Sequence, residues 1–168
     1  MTIPTIKTQR LILRAPSEDD FDVYKNFYAD EDASSAYGGP LSELAAWKKL
    51  AADLGHWQLR GYGMWSLQEK QSGDMIGGCG LVWPRGWPRS ELTWWIIPSA
   101  RRKGYGFEAS RAVVNYAYEV LKWPLVETHM NDENMPARQL ALKLGGNVIE
   151  RILFPDGLKR DIFKLPRG

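Results

Sequence analysis

The chain has 168 residues, the size of one domain and short for two, and 22 basic against 20 acidic residues leave a formal net charge of +2. So even a balance sets up no broad field for nucleic acid or a membrane surface. No window approaches the ~18 apolar residues that span a bilayer, and the N-terminus has no apolar run of the secretion-signal kind, so a soluble cytoplasmic protein is expected. Cys79 is the lone cysteine and lies in an apolar run, which excludes an intrachain disulfide and makes buried packing its expected role.

In chain order, Leu11-Ile12-Leu13-Arg14 reads as a short apolar strand, and Ser17-Glu18-Asp19-Asp20 as the start of a helix running to about Ala29. The stretch 30–40 is small, polar and glycine-rich and is expected to be a loop. A second helix is expected from Leu41 to about Leu59. Strands over 63–69 and 75–83 flank a turn at 70–74, and a third extended segment over 90–97 completes an antiparallel meander. From Gly104 the apolar positions Ala109, Ala112, Val113, Tyr116, Ala117, Val120 and Leu121 fall at helical spacing. A strand over 124–130 follows, then a helix carrying Ala137, Leu140, Ala141 and Leu144 and ending at Gly145-Gly146. Strands over 148–154 and 159–165 around Pro155-Asp156-Gly157 make a terminal hairpin. One mixed α/β domain spanning 1–168 is expected.

Arg101-Arg102-Lys103-Gly104-Tyr105-Gly106 joins an extended run to the amphipathic helix. A strand-to-helix turn presents unpaired N–H groups at the positive end of the helix dipole. Glycines let that backbone approach a ligand, and three basic side chains suit a polyphosphate.

This element order resembles the GCN5-related N-acetyltransferase (GNAT) superfamily. Arg101, Gly104 and Gly106 match the family's Arg/Gln-x-x-Gly-x-Gly/Ala turn. The opening Thr8-Gln9-Arg10-Leu11-Ile12-Leu13-Arg14 looks like the start of the branch holding the RimJ/RimL-like ribosomal-protein N-terminal acetyltransferases. Glu91-Leu92-Thr93-Trp94-Trp95-Ile96 resembles that branch's fourth strand. Asn134-Met135-Pro136-Ala137-Arg138 with Lys143-Leu144-Gly145 resembles its Asn-x-x-Ser and Lys-Leu-Gly segment. The resemblance implies a mostly antiparallel sheet of about seven strands, flanked by about four helices and splayed between the fourth and fifth strands to admit acetyl-CoA.

It further implies that the pyrophosphate rests on the amides of Arg102, Lys103, Gly104, Tyr105 and Gly106, with Arg101 opening the motif. The strand at Trp95, Ile96 and Ile97 would hydrogen-bond pantetheine, as would the amide of Asn134, whose helix, with Ala137 and Arg138, would lie alongside the cofactor. No metal is called for. Acetyl transfer to an amine needs a neutral nucleophile and a proton for the leaving thiolate. Glu91 is the expected base; an ordinary strand-end ion pair is the other reading. Ala137 stands where the family has a Ser, so no hydroxyl acid is available there. His129 reads as a packed or solvated strand histidine, and Glu108 as a residue orienting its helix.

The loop 83–89, with two indoles and two guanidiniums, reads equally as a wall of an acceptor pocket or as a homodimer contact. Tyr37 lies where relatives build an acceptor lid. The expected activity is acetyl transfer to a primary amine, of a protein N-terminus or a small molecule. The rivals are an acyl-CoA-binding sensor or assembly module without turnover, and an RNA platform, which the near-zero net charge disfavours.

Overall fold

A computed structural model describes residues 2–168. Its first sheet grows from short runs of alternating burial. In β2 (Leu11–Arg14) the side chains of Leu11 and Leu13 point into the core, and the strand pairs with β1 (Ile6–Lys7) on one edge and β3 (Met64–Glu69) on the other. β4 (Met75–Val82) returns from β3 and pairs with β5 (Glu91–Ile96), so the five strands lie antiparallel in sequence order. Glycines in β4 allow close packing. A Cβ on Gly80 would sit 2.2 Å from the Gly63 carbonyl oxygen, and one on Gly78 would sit 2.5 Å from the Trp95 indole nitrogen.

The second sheet holds β6 (Val126–Thr128), β8 (Lys159–Leu165) and β7 (Asn147–Leu153), in the order β6-β8-β7. No ladder joins β5 to β6 among the described residues. The Thr128 hydroxyl donates to the Leu92 carbonyl at 2.8 Å across the gap. The chain is therefore a mixed α/β fold whose strands splay where the resemblance implied, with β1 as an additional edge strand.

Among the described residues five α-helices cover the sheets: α1 (Phe21–Ala29), α2 (Glu31–Ser34), α3 (Glu43–Arg60), α4 (Tyr105–Glu119) and α5 (Met135–Lys143). α4 buries Ala109, Val113, Val114 and Ala117 completely, on the face that carries Leu92, Trp94 and Ile96. Its small residues bring helix and sheet close. On the opposite face Tyr24, Phe27 and Tyr28 of α1 and Leu50 of α3 pack on Met64 and Trp95.

Three local expectations are corrected. The first helix opens as a 3₁₀ turn at Glu18–Asp20 before α1 begins. The stretch 30–40 is not all loop, because the Asp30 carboxylate accepts from the Ala33 amide at 3.1 Å and caps α2, which a 3₁₀ turn at Ser35–Tyr37 continues. The fifth predicted strand keeps ladder pairing only over β6, so His129 and Met130 extend past it beside the gap. Among the described residues no helix is long and apolar enough to cross a membrane.

Candidate active site

After β5 the chain makes a 3₁₀ turn at Pro98–Ala100 and enters α4 through the basic turn. Arg102 (φ +62°) and the helix N-cap Gly104 (φ +82°) are left-handed, a conformation that aims successive amides outward. The amides of residues 102–106 find no acceptor among the described residues, and they sit at the positive end of a 15-residue helix. Gly106 serves packing as well. A Cβ there would lie 3.0 Å from Cδ1 of Leu140 on α5.

Of the three basic side chains of the turn, Arg101 is engaged within the protein. The Arg101 guanidinium points inward, donating to the carbonyls of Ile96 at 2.9 Å and Ala33 at 3.1 Å, so it ties the turn to α2. Arg102 and Lys103 are exposed. The Tyr105 hydroxyl donates to the Glu69 carboxylate, while the Arg10 guanidinium lies 4.3 Å over the Tyr105 ring. Glu108 accepts from the Thr8 hydroxyl at 2.5 Å, the Arg10 amide at 2.8 Å and Arg10 Nε at 2.8 Å. Burial would raise the Glu108 carboxyl, but these bonds outweigh it and hold it below the usual range. Arg10 also donates to the Lys103 carbonyl at 2.7 Å. Thr8 and Arg10 of the opening motif therefore buttress the turn through Glu108.

At the split the cleft is lined by Trp94, Trp95, Met130, Asn134 and Ala137. Asn134 caps α5, its oxygen accepting from the Ala137 amide at 3.3 Å, which leaves its NH₂ free to donate. Arg138 points elsewhere. It pairs with Asp161 at 3.0 Å and lies over the Phe163 ring. Ile96 and Ile97 are not among the cleft's lining residues.

Beyond the split the cleft widens into a cavity of about 470 Å³. Glu91 lies in it with 12 % of its side chain exposed, and His129 with 6 %; Nε2 approaches the Glu91 Oε2 to 2.9 Å, although off the line of a hydrogen bond. Strand position pointed to Glu91. Its partnership with His129 had no signal in the sequence, because the two belong to different sheets. The His129 ring packs 4.4 Å from Phe154 and 6.5 Å from Trp87.

The loop 83–89 folds back onto its own chain. Trp87 lines the cavity, and Arg89 crosses the gap to Glu127 at 2.9 Å and Glu150 at 2.5 Å. His56 anchors the loop: Nε2 accepts from the Trp83 amide at 2.9 Å, and Nδ1 donates to the Tyr62 carbonyl at 2.6 Å. Tyr28, Tyr37, Lys49 and Arg160 complete the wall. Lys49 pairs with Asp53 at 3.0 Å, and Arg160 with Asp156 at 2.5 Å. The i,i+4 spacing announced the Lys49–Asp53 pair; nothing local announced that it faces inward. Cys79 lies apart, its thiol pushed up to about 12 by burial.

A family model described as an acetyltransferase (GNAT) domain matches residues 10–147. The uncharacterized N-acetyltransferase YoaA of Bacillus subtilis (strain 168) is 23 % identical over 166 residues, 94 % of this chain and 93 % of that protein. An acetyltransferase of Agrobacterium tumefaciens str. C58 superposes with a TM-score of 0.90 at 27 % identity, covering 99 % of this chain and 96 % of its own. RimL, a ribosomal L7/L12 alpha-N-protein acetyltransferase solved in complex with coenzyme A, shares the fold at a TM-score of 0.77 and 14 % identity, over 96 % of this chain and 97 % of its own.

Proposed function

The chain belongs to the GNAT acetyltransferase family, and from that premise we propose that it moves the acetyl group of acetyl-CoA onto a primary amine, of a protein N-terminus or a small molecule, by direct attack in a ternary complex. The observation that carries this reading is the close pair Glu91–His129, set in a cavity that opens at the gap between the two sheets. The residues present suit acetyl-CoA as cosubstrate. The unpaired amides of residues 102–106 offer donors to its pyrophosphate, and the Asn134 NH₂ beside Ala137 is free to meet its pantetheine arm.

An amine arrives as an ammonium, and the Glu91–His129 pair takes its proton. The freed lone pair attacks the thioester carbonyl carbon; the C–N bond forms, the C–S bond breaks, and the thiolate leaves. Ala137 offers no hydroxyl for that thiolate, so water at the mouth of the cleft relays to the sulfur the second proton, which the nitrogen sheds as the amide forms. Holding both reactants in one cleft supplies most of the remaining rate.

The test is thioester consumption, followed as coenzyme A release, with acetyl-CoA and a panel of amines. Turnover is expected with at least one amine, and Glu91→Gln should lower kcat by roughly a hundredfold or more while the acetyl-CoA KM stays within a factor of about two. Full kcat in that variant across the pH range would remove Glu91 from the chemistry. Acetyl-CoA binding without turnover on any amine would favour a sensor.

A further inference from the structure

Charge in the acceptor cavity is arranged in an uneven way. Four ionised side chains besides the Glu91–His129 pair bear on it: Lys49 with Asp53, and Arg160 with Asp156. Arg160 is the more fully engaged: three of its five N–H donors meet both Asp156 oxygens and the Asn131 side chain, and its guanidinium lies over the Phe154 ring. Lys49 is less so. Its ammonium has three donors and one partner, Asp53, which is itself shared with the Tyr24 hydroxyl at 2.8 Å. Two further lining residues, Tyr28 and Trp95, carry donors without acceptors among the described residues. The Tyr28 hydroxyl donates to nothing among the described residues and, pushed up to about 12 chiefly by burial, keeps its proton. Trp95, 2 % exposed, has a buried indole N–H with no acceptor, and it lies by Met64, which lines the same cavity.

One side of the cavity therefore holds a carboxylate able to take an ammonium proton, and another holds the Lys49 ammonium, which keeps two donors beyond its bond to Asp53, with the neutral Tyr28 donor in the same wall. We propose that the amine acceptor is a small amino carboxylate, whose amino group meets Glu91 and whose carboxylate is held by Lys49 with the Tyr28 hydroxyl. This deepens the proposed function and rests on it. A polyamine or an aminoglycoside would bring a second cation against Lys49 and find no free carboxylate, because Asp53 and Asp156 are already paired. A peptide N-terminus would place a neutral amide against the two Lys49 donors that Asp53 leaves unused, where a carboxylate makes the stronger charge-assisted bonds.

The experiment compares coenzyme A release with each common α-amino acid, with its carboxamide, with its decarboxylated amine, and with spermidine. The expected result is one or more amino acids whose kcat/KM exceeds that of the matching carboxamide and amine by at least about tenfold. Lys49→Gln should erase that preference by raising the amino acid KM about tenfold, with the acetyl-CoA KM unchanged, and Lys49→Arg should retain most of it. The comparison in the unmodified protein stands even where Lys49→Gln, by leaving Asp53 poorly paired, fails to fold. Equal or better turnover of the carboxamide, the decarboxylated amine or spermidine overturns the amino carboxylate while leaving N-acetyl transfer intact. Preference that survives Lys49→Gln overturns it equally, as does no turnover on any of these compounds; N-acetyl transfer itself falls only if a peptide N-terminus added to the comparison is not turned over either.

Discussion

Glu91 and His129 meet although 38 residues separate them along the chain, and each looked ordinary in its own segment. A strand-end carboxylate and a lone strand histidine carry weak signals singly; the proposed chemistry rests on the 2.9 Å between them. Glu91 was legible because it opens the strand that leads to the basic turn. His129 was not, since nothing in its neighbours along the chain states what faces it. Cys79 shows the opposite case, in which local apolarity was enough. Its run predicted burial, and burial lifts its thiol to about 12. Labelling by a thiol reagent at pH 8 should accordingly be slow in the native protein and track global opening, with denaturant accelerating it by orders of magnitude. Rapid native labelling would mean that β4 is accessible.

At the scale of elements, the basic turn and α4 act as one part with the start of β2. Three acceptor contacts on Glu108 and the Arg10 bond to the Lys103 carbonyl hold the turn from below, so the opening motif supports a site it does not touch. The glycines of the turn and its place before an amphipathic helix carried the expectation of an anion seat, and its unpaired amides are compatible with that proposal. The inward aim of Arg101 was not, because its acceptors on Ile96 and Ala33 lie on a strand and on the unforeseen α2. Gly104→Val places a β-branched residue at φ +82°, a strain of about 1–2 kcal/mol, and Gly106→Val drives a side chain toward Leu140. Each should raise the acetyl-CoA KM about tenfold or more while circular dichroism shows the fold retained. Unchanged KM in both would remove the turn from acetyl-CoA binding.

The whole molecule is two sheets that part at one place and are tied at another. Arg89 and the Thr128–Leu92 bond hold them together beside the cavity at Glu91, while no ladder closes the gap between β5 and β6 among the described residues. Within the first sheet, the buried carboxylate of Asp20 ties the 3₁₀ turn before α1 to two strands, accepting from Arg14 on β2, the Ser66 hydroxyl on β3 and the Ser17 amide. Burial acts to raise this carboxyl, and the bonds from Arg14, Ser66 and Ser17 outweigh it, so in the folded protein it titrates below its ordinary value. Unfolded, it titrates near ~3.9; its contribution to stability is full above that value and is lost as pH falls through the lower folded one. Asp20→Asn should therefore flatten the loss of Tm below about pH 4. At pH 7 it should lower Tm by about 4–8 °C, from a loss of ~2 kcal/mol. Equal acid slopes in both proteins would remove Asp20 from the linkage.

Element order, the antiparallel meander, the amphipathic α4 and the glycine turn before it were determined by the sequence alone. Periodicity, capping and turn chemistry act within a few residues, and those signals agree with one another along this chain. The pairing of Glu91 with His129, the inward faces of Lys49 and Arg101, and the folding of the loop 83–89 onto its own second sheet were decided only by tertiary structure. Each depends on where one sheet or helix comes to rest against another. That placement is set by packing of the two faces of the first sheet and by the gap beside β5, which no short window of residues encodes.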